Sequence, residues 1–152
     1  MQSIDFSSLD ELGKSLEKLI KDFPDKRKQL HEEFADVLKE TLDSQIDISV
    51  NDSHGRIKMW QGKYVGSKGG YAAVRPINSS SGSKSPGAIT NYLNSGHRIR
   101  KPSGKNKYYK PNIKKLYVDG RHFYQNTSKR SEAQLIAIAE EFANSISDEL
   151  NR

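Results

Sequence analysis

The chain has 152 residues, 34% of them hydrophobic and 29% charged, with a net charge of +6, which suits one thinly cored domain. It has no cysteine, which excludes disulfides and thiolate metal sites, and no apolar run reaches the ~20 residues that a membrane span needs. The charge is segregated: residues 1–50 hold 7 basic and 12 acidic side chains, residues 51–130 hold 17 and 2, and residues 131–152 hold 1 and 5. On charge alone two kinds of partner fit equally, nucleic acid and a neighbouring copy whose acidic face meets this basic centre.

The opening stretch, MQSIDFSSLDELGKSL, carries acidic residues and no apolar h-region, so it does not read as a signal peptide. Synthesis in the cytoplasm is expected, which leaves the three Asn-x-Ser/Thr sequons at Asn51, Asn78 and Asn126 as chance matches. Ser8-Leu9-Asp10-Glu11 forms a capping box. Leu9, Leu12, Leu16, Leu19, Ile20 and Phe23 then recur at three- and four-residue spacing, and Leu30, Phe34, Val37, Leu38, Thr41 and Leu42 continue the stripe. Pro24 interrupts it and pushes Phe23 away from helical geometry. The pattern predicts helices over about 8–22 and 25–45 whose stripes are core, the alternative being a groove for a partner helix.

Ile46, Ile48 and Val50 alternate with polar residues and predict a strand; Asn51 to Gly55 is a turn cluster. Ile57–Val65 and Tyr71–Ile77 read as two strands of a hairpin closed by Gly66-Ser67-Lys68-Gly69-Gly70. Trp60, Tyr64 and Tyr71 are expected on one face of it, and Pro76 at a strand end. Asn78–Pro86 is low in complexity and reads as a mobile loop. Ser85-Pro86 starts a short helix with Ile89, Tyr92 and Leu93 as its apolar face, and Gly96 stops it. His97–Lys115 is long for a connection, a property of functional or disordered loops. Leu116-Tyr117-Val118 predicts a short strand. A last helix runs from about 120 to 151 with Ile136, Ala139, Phe142, Ala143, Ile146 and Leu150 as its stripe. The whole reads as a single domain, 1–152, of α+β class: a small, mostly antiparallel sheet packed on N-terminal and C-terminal helices.

No catalytic, cofactor-binding or metal-binding set emerges. His31, His54, His97 and His122 lack partners at metal-ligand spacing apart from the helical neighbours of His31, and no H-E-x-x-H motif exists. The basic centre holds only Asp52 and Asp119 as acids, too few for the carboxylate cluster of a metal-dependent nuclease. There is no G-x-S-x-G elbow, and Ser103-Gly104-Lys105-Asn106 does not complete a phosphate loop. The segment from His97 to Lys115 interleaves arginines and lysines with Tyr108 and Tyr109. That composition suits stacking on single-stranded nucleic acid, a lysine-solubilised loop, or an arm that docks on a neighbour.

Two short segments resemble a family of tailed-phage neck proteins, that of gene product ten of phage HK ninety-seven, also likened to the tail-completion protein of lambda. In Asn91-Tyr92-Leu93-Asn94-Ser95-Gly96-His97-Arg98, the residues Tyr92, Gly96, His97 and Arg98 match a Y-x-x-x-G-H-R-like motif. In Asp119-Gly120-Arg121-His122-Phe123-Tyr124, the residues Gly120, His122 and Phe123 match a P-G-x-H-F segment, with Asp119 where proline is frequent. His54-Gly55-Arg56-Ile57 is a looser match to a Thr-Gly-x-Leu turn. The resemblance covers the order of elements over nearly the whole chain. It implies a non-enzymatic virion component, made in the bacterial host cytoplasm, which forms an oligomeric ring and meets head–tail connector or tail tube proteins. No cofactor, small-molecule substrate or membrane is expected, and DNA is expected only as a nonspecific neighbour. The partner-binding residues expected are Tyr92, His97, Arg98, Arg100, Lys101, Tyr108, Tyr109 and Lys110. The alternative is a sequence-nonspecific nucleic-acid-binding module using residues 97–115.

Overall fold

The computed structural model describes residues 7–99 and 116–151. In chain order these form α1 (Ser7–Ser49), α2 (Arg56–Met59), β1 (Gln61–Val65), β2 (Ala72–Pro76), α3 (Pro86–Ser95), β3 (Gly96–Arg98), β4 (Tyr117–Asp119) and α4 (Phe123–Leu150). The class is α+β as expected, with the N- and C-terminal helices packed together. Among the described residues the strands make two separate pairs, β1–β2 and β3–β4, where the sequence reading had one sheet. The chain divides into two compact units: Met1–Glu40, Lys63–Val74 and Arg130–Arg152 form the first, and Thr41–Gly62 with Arg75–Lys129 the second.

Helix α1 runs through Pro24, where the sequence predicts a break, and Phe23 is helical. Pro24 lacks the N–H that the Ile20 carbonyl would accept. Both residues are exposed, so water can take the freed carbonyl. Contacts on both sides of the proline hold the helix on α4. The rings of Phe23 and Phe142 lie 6.2 Å apart, and Lys26 pairs with Glu149. The strand expected at Ile46–Val50 is also helical: Leu42, Gln45 and Ile46 are buried at helical spacing while Ile48 is 68% exposed. Burying Leu42 and Ile46 on one helical face outweighs the β preference of three alternating branched residues.

Among the described residues of the first unit only Ala35 and Val37 are buried apolar residues. Leu135, Ile138, Phe142, Ile146 and Leu150 of α4 are half-buried. The expected stripe is thus right at Phe142, Ile146 and Leu150 but wrong at Ile136, Ala139 and Ala143, which are exposed. Packing is loose enough to leave a groove of about 550 Å³ lined by Lys26, Leu30, Ile138 and Phe142 among others. The hairpin loop rests on α1: the Arg27 guanidinium donates to the Lys68 carbonyl at 2.6 Å, and a Cβ on Gly69 (φ +60°) would stand 2.7 Å from the Lys28 backbone. Lys63 of β1 pairs with Asp36 of α1. Tyr71, expected in an aromatic face with Trp60 and Tyr64, is 53% exposed.

In the second unit Leu42, Ile46, Ile57 and Phe123 form the apolar core. The strand expected from Ile57 starts only at Gln61, because Arg56–Met59 is one helical turn. Asp52 fixes that turn by accepting from the Ile57 amide at 2.8 Å and the Lys58 amide at 3.2 Å. Gly55, before the turn, has φ +64°, a conformation that favours glycine. Around this core lies a polar layer of Gln61, Thr90, Asn94 and Thr127, all buried. Buried polar atoms must be bonded, and among the described side chains none is left without a partner.

Candidate docking surface

Helix α3 starts as its sequence dictates: the Ser85 hydroxyl accepts from the Ala88 amide at 3.2 Å, and Pro86 occupies the first turn. Its fully buried residues are Pro86, Thr90 and Asn94, one every turn; of the expected apolar face Ile89 and Leu93 are half-buried and Tyr92 is exposed. The interior it meets is polar. Gln61 donates to Thr90 Oγ1 at 3.2 Å and to the Ile57 carbonyl at 3.0 Å, and the Tyr124 hydroxyl donates to Gln61 Oε1. Asn94 Oδ1 accepts from the Tyr124 amide at 3.0 Å. Burial pushes the Tyr124 phenol up to about 12, since a charged phenolate there would lose its water. Turning Thr90 and Asn94 inward leaves Tyr92 39% exposed.

The helix ends at Gly96, whose φ of +79° would strain any other residue. The chain then enters β3, which pairs antiparallel with β4 in the register Gly96–Asp119, His97–Val118 and Arg98–Tyr117. Two backbone bonds tie the following turn to the end of α3: the Arg121 amide donates to the Leu93 carbonyl at 2.8 Å, and the His122 amide to the Asn94 carbonyl at 2.9 Å. His122 sits at φ +54°, a strained value for a residue with a Cβ, held by those bonds and by the next residue, Phe123, which is fully buried. The segments around Gly96 and Gly120, apart in sequence, therefore form one folded junction.

On this junction stands an exposed face. Tyr92 lies with its ring 5.3 Å from the His97 ring, and both line a pocket of about 580 Å³ with Ser83, Arg98 and Ile99. Leu116, Tyr117 and Val118 are 66%, 47% and 42% exposed, although the Tyr117 hydroxyl donates back to the Ser95 carbonyl at 2.9 Å. The Ile99 amide donates to the Leu116 carbonyl at 2.9 Å. Facing pairs of an antiparallel ladder alternate between bonded and non-bonded, so Tyr117 and Asp119 turn their backbone N–H and C=O away from β3. Arg98 is exposed on β3, while Arg121 lines a pocket with Asp47 and Asp52.

Of the expected partner-binding residues, the structure brings together Tyr92, His97 and Arg98. Arg100, Lys101, Tyr108, Tyr109 and Lys110 lie outside the described residues. Sequence reasoning passed over Leu116, Tyr117 and Val118 as part of this face. The signal was present: an apolar triplet beside a basic run, with no polar alternation to give it a solvent face. Among the described residues no group of three His, Asp or Glu side chains gathers as a metal site, and no helix is long and apolar enough to cross a membrane. No family model, curated protein or solved structure matches the chain.

Proposed function

We propose that the chain is a structural subunit of a tailed phage or prophage, a neck or tail-completion component that works by protein–protein contact in an oligomeric ring at the head–tail junction. The observation that carries this is the exposed face on the α3–β3–β4 junction: Tyr92, His97 and Arg98 with the uncovered Leu116, Tyr117 and Val118. A two-stranded ribbon of this kind is marginal by itself, and an open apolar edge invites a partner. The resemblance adds the class of partner, because its two motifs supply the backbone of that junction. Gly96 and Gly120 let the strands approach, and Phe123 anchors the turn. Segregated charge steers such a contact, while the aromatic and apolar groups hold it.

Deleting the gene from the phage or prophage that carries it tests this reading. Electron microscopy of the lysate is expected to show heads and tails that fail to join, with joining restored by the full chain supplied in trans. Normal particles at normal yield without the gene would remove the reading. A second function, sequence-nonspecific nucleic-acid binding, is favoured by one observation, the seven bases and no acid of residues 100–115.

A further inference from the structure

The β3–β4 ribbon has two faces and one open edge. Residues opposite each other in a ladder share a face, and the faces alternate along each strand. The register therefore puts His97 and Val118 on one face, together with Ile99 and Leu116. Gly96, Arg98, Tyr117 and Asp119 take the other, where the Tyr117 hydroxyl is tied to the Ser95 carbonyl. The edge of β3 is committed to its helix, since the Gly96 amide donates to the Tyr92 carbonyl. The edge of β4 is open. Tyr117 and Asp119 point their backbone N–H and C=O away from β3, and among the described residues no further strand pairs with β4. All of Tyr117, Val118 and Asp119 are exposed.

We propose that β4 of a second copy pairs antiparallel on this edge, across a two-fold axis at Val118, so that two ribbons make one continuous sheet. Each copy's Tyr117 then stands opposite the partner's Asp119, and the two exchange both of their outward backbone bonds. The two Val118 side chains meet in a non-bonded pair, the closer of the two kinds. Leu116 comes opposite the partner's Gly120, which has no side chain to crowd it. Asp119 faces a tyrosine and not a second carboxylate, so no like charges stand directly opposite. The other registers are poorer: an axis at Asp119 sets two carboxylates face to face, and an axis at Tyr117 runs Asp119 past the end of the partner's β4. A two-stranded ribbon is marginal by itself, and a wider sheet with an apolar face is not. The pairing supplies that width and sets Leu116 and Val118 of both copies on one face. It rests on the reading of this junction as a docking surface and names what docks on one edge of it. A two-fold contact closes on two copies, so contacts around a ring are made elsewhere.

The chain has no cysteine, so a single cysteine reports the contact directly. In a non-bonded antiparallel pair the Cα atoms stand about 4.5 Å apart, within the roughly 4.4–6.8 Å that a disulfide spans. Full-length Val118→Cys under mild oxidation with oxidised glutathione is expected to give a disulfide dimer at several-fold the yield of Leu116→Cys. Leu116 is the more exposed of the two, 66% against 42%, so random collision would give the reverse order. Adding Asp119→Pro to Val118→Cys removes one bonding N–H from the edge. Proline is tolerated where that N–H faces solvent, so the double variant is expected to keep its circular dichroism spectrum and lose most of the dimer. Should it not fold, the comparison of the two single cysteines decides alone. Equal or greater dimer from Leu116→Cys overturns the proposal, as does a folded double variant that dimerises in full. Particles that join normally with a Val118→Cys chain that never dimerises remove this pairing and leave the neck reading standing. Normal particles without the gene remove the neck reading and leave the disulfide standing.

Discussion

Gly96 and Gly120 face each other backbone to backbone: a Cβ on Gly96 would stand 2.7 Å from the Gly120 nitrogen, and a Cβ on Gly120 would stand 2.8 Å from the Gly96 nitrogen. Each would also meet a carbonyl oxygen at 2.4 Å, that of Val118 for Gly96 and that of Asn94 for Gly120. Those are backbone atoms that cannot yield as a side chain can; only the Tyr117 hydroxyl, 2.7 Å from a Gly96 Cβ, belongs to a side chain. The junction that presents Tyr92, His97 and Arg98 therefore depends on two missing methyl groups.

Gly120→Ala is expected to cost about 1–3 kcal/mol through overpacking. Gly96→Ala adds backbone strain of about 1–3 kcal/mol, since φ +79° with ψ 174° is a conformation nearly confined to glycine. Gly13 is the contrast, since a Cβ there meets nothing within 4 Å and it lies in α1, so Gly13→Ala is expected to stabilise by about 1 kcal/mol. Urea denaturation of the three variants checks the order. Equal stability of Gly96→Ala and wild type would contradict the close approach.

Phe123 is fully buried at the first residue of α4. Phe123→Ala is expected to cost about 3–5 kcal/mol, read from the midpoint of a chemical melt. A midpoint equal to wild type would mean that Phe123 does not anchor the turn after Gly120.

The sequence marked local features well where chemistry is local. Ser85-Pro86 starts α3, Gly66–Gly70 closes the β1–β2 hairpin, and Gly96 stops α3, each with the expected geometry. It misled where tertiary burial decides. Ile46 and Ile48 alternate like a strand, yet Ile46 is buried beside Leu42 on a helix. Pro24 marks a break that α4 bridges. Thr90 and Asn94 are more deeply buried than the half-buried Ile89 and Leu93 because Gln61 and Tyr124 give them polar partners. The α4 stripe was misplaced at Ile136, Ala139 and Ala143, which are exposed, because Leu135 and Ile138, on the Phe142 side of the helix, are the half-buried ones. Of the candidate site, Tyr92, His97 and Arg98 were legible as a basic aromatic segment. Their meeting with β4 was not, because antiparallel pairing across residues 98–117 leaves no local trace.

The Tyr124 phenol is held neutral by burial, its pKa raised from 10.0 to about 12. The unfolded chain loses that proton first as pH rises, so stability linked to this group is complete below pH 10 and is lost as pH climbs towards 12. Thermal melts are expected to fall across this window more steeply for wild type than for Tyr124→Phe. Parallel curves would show that the phenol is not held neutral.

If the basic segment touches phosphates, each contact releases counterions and affinity falls steeply with salt. The isolated chain is expected to bind duplex DNA weakly, without sequence preference, and to lose it as salt is raised in a fluorescence anisotropy titration. A tight, sequence-selective complex at physiological salt would favour the nucleic-acid reading over the neck reading.

Docking through the α3–β3–β4 junction is the central claim, and charge reversal at Arg98 and Arg100 is its most direct test. Arg98 is exposed at the end of β3, and Arg100 follows two residues later. Arg98→Glu with Arg100→Glu is expected to keep the circular dichroism spectrum and melting behaviour of wild type, because Arg98 supports no part of the described core. In a complementation assay the same double variant is expected to fail to enter particles and to leave heads and tails unjoined. A folded double variant that assembles infectious particles at normal yield would contradict the account.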